Sequence, residues 1–322
     1  MESLYVNIAL TFMYATPIIV AAIGGLYSER SGVTNIGIEG LMTIGAFAGA
    51  CICYYMGQNA DPSTFMGYAI IPWLSVLAGA LVGGLFSLIH AVASIKYKAD
   101  QVISGTAINM LAIGLAIFLS QILFQQQRTP QFSQGFKVMN DSILAKIPVI
   151  GGLIAKTYPP FIFALIIVAL TAFIVKKTKF GLRLRACGEF PQAASSMGVN
   201  VYRTRYIGVF LSGIFAGAAG AIMTLTVDSQ FSETVIHGFG FIAIATLIFG
   251  KWNAWGVLFA GLFFGLSNVI AISSGQIDWL KSVPKEIFYM LPYVATILAL
   301  VITSGKAAGP KANGEIYDEG KR

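Results

Sequence analysis

Residues 206–227 read YIGVFLSGIFAGAAGAIMTLTV, a run of 22 residues without a charged side chain. A helix that crosses the roughly 30 Å hydrocarbon core of a bilayer needs about 20 apolar residues, so this run predicts a membrane-spanning helix. Its centre, GIFAGAAG (213–220), is dense in small residues. In lipid, where hydrophobicity does not drive association, small residues allow helices to approach closely. We therefore expect this helix to pack flat against a neighbour.

The composition extends this interpretation to the whole chain. Of its 322 residues, 56% are hydrophobic and 11% are charged, whereas an average soluble chain is about a quarter charged. A mean hydropathy of +0.75 excludes a disordered chain, because disorder requires low hydrophobicity and high charge. The sequence therefore predicts an all-α polytopic protein of the cell membrane with about nine transmembrane helices. Its loops are too short to fold as separate domains.

Apolar stretches between polar breaks are the candidate membrane spans. They cover approximately residues 4–26, 39–57, 68–95, 101–124, 158–175, 206–227, 239–250, 254–274 and 287–304. The seventh is too short to cross alone, so we expect it to recruit flanking residues or to be a partial span. The first helix should remain in place, because the N-terminus carries an acid and no basic stretch typical of a cleaved signal peptide. We expect one transmembrane domain over 1–305 and a polar cytoplasmic tail over 306–322.

The charge distribution predicts the orientation. A net charge of +7 and an isoelectric point of 9.2 would suggest nucleic acid as a partner of a soluble protein, but in membrane proteins basic residues collect on the cytoplasmic side. If the N-terminus is outside and nine spans alternate, 15 Lys and Arg lie inside and 6 outside. We therefore predict an outside N-terminus, a cytoplasmic C-terminus, contact with membrane lipid and no nucleic-acid partner. Three cysteines provide no disulfide framework.

Two interruptions suggest an internal symmetry. Spans one to four and six to nine each contain a polar or glycine-rich segment, SGVTNIGIEG (31–40) and SETVIHGFG (232–240). Under the predicted topology the two sets start from opposite faces, which is the inverted repeat common among transporters. Broken helices expose backbone polar groups, which are tolerated at membrane depth only where protein or a water-filled cavity receives them. We therefore predict a pathway between the halves.

The loop 176–206 is too polar to cross the membrane and carries clear helix signals. GEFP (188–191) is expected to open a short helix, because Pro191 suits the first helical position and Glu189 places negative charge near the positive helix end. Gly198 suits the left-handed residue that ends a helix after about two turns. Such an element is either a solvated turn or a docking element, and the tight start and stop signals favour docking.

Three blocks of sequence resemble a known family. The segment GLRLRACGEFPQAASSMGVNV (181–201) resembles the cytoplasmic coupling loop of ABC-importer permeases of the branched-chain amino acid, ribose and nucleoside group. Phe190 and Val199 stand where Asn and Ile are usual. Residues 28–47 and 238–256 resemble blocks of the nucleoside-type permeases, so the resemblance covers nearly the whole chain. The positions that match the loop pattern are Gly181, Arg185, Ala186, Gly188, Glu189, Pro191, Ala193, Ala194 and Gly198.

The resemblance implies the permease subunit of an ATP-binding-cassette importer for nucleosides, and not an enzyme. It implies cytoplasmic ATPase subunits, a second homologous permease subunit and an extracytoplasmic substrate-binding lipoprotein as partners. ATP and magnesium would be used by the ATPase, since the sequence contains no GxxxxGK[ST] phosphate loop, and this chain would bind no cofactor. Branched-chain amino acid or simple-sugar transport remains the alternative. ATPase coupling would involve Arg185, Gly188, Glu189, Pro191, Ala193, Ala194 and Gly198.

Polar and aromatic groups within the spans are candidates for the substrate pathway, because ionisable residues at membrane depth are rare and usually face a cavity. Amides can pair with a nucleobase edge or ribose hydroxyls, and aromatic rings can stack on a base. The alternative for each is an interhelical hydrogen bond or a lipid-facing position, and for Glu39 a structural pairing with Arg30. The candidates are Asn35, Glu39, Asn109, Gln121, Phe239, Phe241 and Asn268.

Other functional classes lack the residues that they require. A transporter driven by an ion gradient needs a carboxylate in mid-span, and Glu39 is the one candidate. His90 and His237 have no companion Cys or His at ligand spacing, so we predict no metal site. The sequence contains no Asp/Glu pair, nucleophilic serine elbow or HExxH motif, which argues against an intramembrane enzyme.

Overall fold

In a computed structural model, the chain is built from helices. The structure describes residues 2–58, 66–139, 154–274 and 309–320, with positions 60, 61 and 64 and six positions between 287 and 297. This part of the chain contains ten α-helices and no strand. They are α1 (Glu2–Arg30), α2 (Ile38–Gly57), α3 (Ile71–Ala91), α4 (Gln101–Phe124), α5 (Pro159–Lys177), α6 (Lys179–Glu189), α7 (Pro191–Ser196), α8 (Val201–Met223), α9 (Phe239–Phe249) and α10 (Ala254–Ser273).

Seven helices in the described residues are long and apolar enough to cross a membrane. They are α1 to α5, α8 and α10, with π-helical turns at Val92–Lys96 and Thr224–Asp228 that prolong α3 and α8. These seven correspond to the first six predicted spans and the eighth. At 11 residues, α9 is too short to cross alone, as predicted for the seventh. The ninth predicted span (287–304) lies largely outside the described residues.

Helix α8 packs against α3 through glycine. A β-carbon added at Gly83 would lie 2.5 Å from the Gly213 carbonyl oxygen and 2.7 Å from the Gly217 Cα atom. Real side chains do not approach so closely, so the two backbones touch because these positions are glycine. The prediction that the 213–220 stretch packs flat against a neighbour is therefore confirmed. Gly265 of α10 makes a similar close contact with α1.

One end of the bundle, termed the basic end, gathers the C-terminal end of α1, the helices α6 and α7, the start of α8 and residues 309–320. Arg30 donates a hydrogen bond to the Trp252 carbonyl oxygen at 2.9 Å. The Lys98 ammonium lies 3.0 Å from the Asp318 carboxylate. Segments from distant parts of the sequence, several of which carry Lys or Arg, therefore meet on one side of the molecule.

Candidate functional site

The first break, residues 31–37, leads from the basic end into the bundle. The Thr34 amide donates to the Gln101 side-chain oxygen at 2.7 Å, level with the first residue of α4. The Gly40 amide donates to Asn109 Oδ1 at 2.7 Å. At 1.5 Å per residue, Asn109 lies about 12 Å further along α4. Helix α2 therefore begins about two turns inside the bundle rather than at its end.

Buried amide side chains bind the backbone of the first break. Asn109 also donates through Nδ2 to the Ile36 carbonyl oxygen at 3.0 Å. Asn35 accepts a hydrogen bond from the Gly37 amide at 3.1 Å and donates to Ser212 Oγ of α8 at 2.9 Å. These contacts replace the backbone hydrogen bonds that a continuous helix would make. Asn35 therefore joins the first break to α8, and Asn109 joins it to α4; their place on the substrate pathway stays a prediction.

His90, for which no role as a metal ligand was predicted, also holds the first break. Its ring is fully buried, with Nε2 3.1 Å from the Thr34 carbonyl oxygen and Nδ1 3.0 Å from Ser104 Oγ. His90 lies on α3 and Ser104 on α4, so the imidazole joins two helices to the break. Among the described residues, no group of three or more His, Cys, Asp or Glu is suited to hold a metal ion.

The second break, residues 229–238, approaches from the opposite end of the bundle. Along this break Phe231 is fully buried, and its carbonyl oxygen accepts a hydrogen bond from the Thr129 amide at 3.0 Å. The break ends at Gly238, whose φ of +88° is a conformation that favours glycine. Helix α9 then runs for 11 residues, about 16 Å, toward the basic end. The break and the short helix thus follow one another along the bundle.

The two breaks meet at Glu39, the second residue of α2. Its Oε1 atom accepts a hydrogen bond from the Gly238 amide at 2.6 Å, and its Oε2 atom accepts one from the Gly240 amide at 2.7 Å. The first amides of a helix have no partner within that helix, and they form its positive end. The Glu39 carboxylate, which is 6% exposed, satisfies both needs of α9.

The predicted pairing of Glu39 with Arg30 is wrong. Arg30 ends α1 at the basic end, where it binds the Trp252 carbonyl oxygen and lies 4.0 Å from the Glu189 carboxylate. Glu39 lies about two turns inside the bundle. The two residues are close in sequence, but the non-helical segment 31–37, which runs from the basic end into the bundle, separates them along the bundle axis.

Aromatic side chains surround the beginning of α9. Phe239 stacks on Tyr14 of α1, with ring centroids 6.4 Å apart. The Phe241 side chain is 48% exposed, and His237 is exposed as well. An aromatic ring and an imidazole are therefore accessible beside the helix end that Glu39 caps. This arrangement combines a stacking surface with hydrogen-bonding groups.

The remaining predicted pathway residues lie in other surroundings. Gln121 is exposed and lies about 18 Å beyond Asn109 along α4. The Asn268 amide donates to the Phe264 carbonyl oxygen of its own helix at 3.0 Å. Phe264 is fully buried and packs in a cluster that includes Phe239. Asn268 is thus one turn away from the aromatic surroundings of α9, and Gln121 is remote from them.

The loop 176–206 contains two helices rather than one. Helix α7 begins at Pro191, its first helical position, and Gly198 follows it with a φ of +79°, so the predicted short helix and its two signals are confirmed. Gly188 and Glu189, expected to open that helix, instead close α6. Phe190 separates the two helices.

The predicted coupling residues differ in their exposure. Two of the seven, Ala193 and Gly198, are exposed; buried or half-buried are Arg185, Gly188, Glu189, Pro191 and Ala194. Three large apolar side chains of this loop are exposed and were not predicted as coupling residues, Leu182 at 61%, Phe190 at 58% and Met197 at 84%. Neighbouring exposed apolar groups are typical of a protein interaction site. The one sign of this surface in the sequence was Phe190, which stands at a position where Asn is usual.

Comparison with known proteins gives a consistent result. Residues 7–300 match the family described as Branched-chain amino acid transport system / permease component. The guanosine ABC transporter permease protein NupQ of Bacillus subtilis (strain 168) is 44% identical over 322 residues, which are 100% of this chain and 99% of the relative. The nucleoside ABC transporter permease protein NupC of Lactococcus lactis subsp. cremoris (strain MG1363) is 42% identical over 321 residues, 99% of each chain.

A more distant relative is the guanosine ABC transporter permease protein NupP of Bacillus subtilis (strain 168). It is 26% identical over 310 residues, which are 94% of this chain and 85% of the relative. No solved structure matches the chain significantly.

Proposed function

Because the chain belongs to the branched-chain amino acid transport permease family, we propose that it is the transmembrane subunit of an ATP-binding-cassette importer for nucleosides. It is a multi-pass transport protein of the plasma membrane and not an enzyme. The observation that carries the substrate class is the pair of nucleoside and guanosine permease relatives, which are 42% and 44% identical over essentially the whole chain.

The basic end faces the cytoplasm in this proposal, with the N-terminus outside. Clustering of Arg30, Lys98, Lys177 and Arg203 at that end supports this orientation, because cytoplasmic loops carry an excess of Lys and Arg. The two breaks enter the bundle from opposite ends and meet inside it, which supports an inverted repeat. One domain over 1–305 would form the pathway.

The substrate pathway runs beside the start of α9. Glu39 holds the helix end, while Asn35 and Asn109 fix the first break behind it. Phe241 offers a ring on which a nucleobase can stack, and Phe239 stacks on Tyr14 of α1 beside it. A second permease, homologous to this chain, covers the exposed face and completes the pathway; the two guanosine permeases of Bacillus subtilis support a non-identical pair. Gln121 and Asn268 lie along the same pathway, farther from the start of α9.

The ATPase subunits dock on the coupling element around α7. Exposed Phe190, Ala193 and Met197 form its contact surface, and buried Pro191 and Ala194 anchor it to the permease. The ATPase subunits hydrolyse ATP with the help of magnesium, and this chain transmits the resulting movement. An extracytoplasmic binding lipoprotein delivers the nucleoside from the other side.

Uptake measurements test the substrate class. Cells that lack this chain should lose binding-protein-dependent uptake of labelled uridine or guanosine, and expression of the chain should restore it. Leucine and ribose uptake serve as controls and should remain unchanged. Unchanged nucleoside uptake together with loss of leucine or ribose uptake would move the assignment to the alternative substrate classes.

Co-purification tests the docking role of α7. Met197→Asp places a charge on the most exposed apolar side chain of the coupling element, so ATPase co-purification and ATP-driven uptake should both be lost, with normal protein in the membrane. Tyr97→Asp is a matched control, because Tyr97 is 71% exposed in a neighbouring loop at the same end. Retention of both activities by Met197→Asp would refute docking at α7.

A further inference from the structure

Residues 309–320, termed the strap, pack against the other segments of the basic end instead of extending away from them. The Ala312 amide donates a hydrogen bond to the Gly188 carbonyl oxygen at 2.8 Å. A β-carbon at Gly188 would lie 3.2 Å from Pro310 Cβ, so the strap lies directly on the backbone of α6. The contact is at the last turn of α6, three residues before α7 begins. The strap therefore reaches the coupling element.

The neighbouring strap residue, Asn313, binds the other side of the junction. Its Oδ1 atom accepts a hydrogen bond from the Thr34 hydroxyl at 3.1 Å, and its Nδ2 atom donates to Glu29 Oε2 at 3.2 Å. Glu29 belongs to the last turn of α1, and Thr34 belongs to the first break. Ala312 and Asn313 together connect α6 with both α1 and the break that leads to Glu39.

A buried arginine secures the strap further along. Arg205 of α8 is 2% exposed and donates through Nη1 to the Glu315 carbonyl oxygen at 2.9 Å. Its guanidinium lies 5.8 Å from the centre of the Tyr317 ring, and that ring packs edge-on against Tyr202 at 5.1 Å. Within the described residues, Nε and Nη2 of Arg205 have no hydrogen-bond partner. A buried charge requires compensation, and the strap supplies a carbonyl dipole and an aromatic face.

Charged residues hold the strap at its edges. Lys98 lies 3.0 Å from Asp318, and this hydrogen bond raises the pKa of the Lys98 ammonium. Lys311 lies over the Phe190 ring at 5.0 Å from its centre. Phe190 is the residue between α6 and α7, so this contact again joins the strap to the coupling element.

We propose that the strap is a positioning element for energy coupling, with Asn313 and Arg205 as its positioning residues. It ties the α6–α7 unit to the first break, so that a displacement of α7 moves Thr34 and the segment that leads to Glu39. This inference rests on the proposed docking of the ATPase at α7. The family match ends at residue 300, so the strap lies outside the region that defines the family.

Labelling of Cys187 tests whether the strap is seated. Cys187 is fully buried in a cluster with Tyr317, and burial raises the pKa of its thiol. With Cys51 and Cys53 replaced by alanine, Cys187 in nanodiscs should react slowly with a maleimide. Tyr317→Ala should accelerate labelling about tenfold for each pKa unit that the thiol regains, and deletion of the chain from residue 309 should do the same. Unchanged labelling in both variants would show that the strap does not cover Cys187.

Coupling is measured in the reconstituted importer as uptake per ATP hydrolysed. Asn313→Ala removes the bonds to Thr34 and Glu29, so this ratio should fall about fivefold or more, while ATPase co-purification stays normal. Glu319→Gln is the matched control, because Glu319 is an exposed strap residue, and it should leave the ratio unchanged. Arg205→Ala should lower the ratio as Asn313→Ala does.

The outcomes separate the strap from the proposed function. A normal ratio for Asn313→Ala, with active wild-type import, would overturn the coupling role and leave the proposed function intact. Loss of ATPase co-purification in Asn313→Ala would also overturn it, because the strap would then be part of the docking surface. Absence of ATP-dependent nucleoside uptake by the wild-type importer would instead contradict the proposed function, and the Cys187 measurement would still report on seating.

Discussion

The two breaks in the bundle are held in different ways. The first is fixed along its length by buried side chains from three helices, His90 of α3, Gln101 and Asn109 of α4 and Ser212 of α8. The inner end of the second is held through one carboxylate, Glu39, at the start of α9. A segment bonded at many points tolerates the loss of one bond, whereas the start of α9 depends on one side chain for both of its hydrogen bonds. The comparison indicates a first break that is fixed at many points and an α9 start that depends on Glu39.

The largest effect is expected from loosening the fixed break. Asn109→Ala leaves the Gly40 amide and the Ile36 carbonyl without their partners inside the bundle, which should lower the free energy of unfolding by about 2–6 kcal/mol. Thermal unfolding in detergent measures the change. Asn268→Ala is the control, because that amide bonds only within its own helix in the described structure, and it should cost less than about 1 kcal/mol. Equal stability of the two variants would contradict the assignment of a fixed first break.

A smaller effect on stability, but a large one on transport, is expected at the start of α9, where Glu39 binds. In Glu39→Gln, the side-chain oxygen can accept a hydrogen bond from one of the two amides. The NH₂ group then faces the other amide, and two donors cannot bond to each other. Loss of one charge-assisted hydrogen bond, about 1.5–3 kcal/mol, should reduce ATP-driven uptake roughly 10- to 100-fold, with the protein still folded in the membrane. Normal uptake by Glu39→Gln would remove Glu39 from the mechanism. Wild-type uptake that required a proton gradient, together with loss of that requirement in Glu39→Gln, would instead indicate a proton carrier.

The smallest effect on stability is expected at the exposed face of α9. Phe241→Ala should leave unfolding unchanged within about 0.5 kcal/mol, while the KM for nucleoside uptake should rise roughly 5- to 100-fold through loss of base stacking. Phe259→Ala is the control, because Phe259 is exposed to a greater extent, 68%, on α10. An equal rise of KM in both variants would show that Phe241 has no specific role.

The membrane spans were predictable because each is a continuous apolar run, and α7 was predictable because Pro191 and Gly198 mark its ends. The length of 239–250 indicated a partial span, but it did not indicate that Glu39 binds the start of that helix. Glu39 and Gly238 are 199 residues apart, and no local pattern records such a contact. The nine-helix count and the inverted repeat stay predictions.

The strap was missed for a different reason. Its sequence is polar and was expected to be a cytoplasmic tail, because polarity is typical of a solvated segment. Two of its contacts use backbone groups, the Ala312 amide and the Glu315 carbonyl, which carry no sequence signal. The side-chain contacts of Asn313 and Tyr317 join the strap to positions that are distant in sequence, and no local pattern records them. Arg205 was counted among the loop charges, although the structure buries it beneath the strap.

The glycine contact between α3 and α8 has a mechanical consequence. Where two backbones touch, neither helix can rotate about its own axis without driving a side chain such as Ile214, already close to Gly84, into the other. The two helices must therefore tilt together as one rigid body. Because α8 starts shortly after α7, a small swing at its first turn would be carried along the length of this pair to the far end of the molecule.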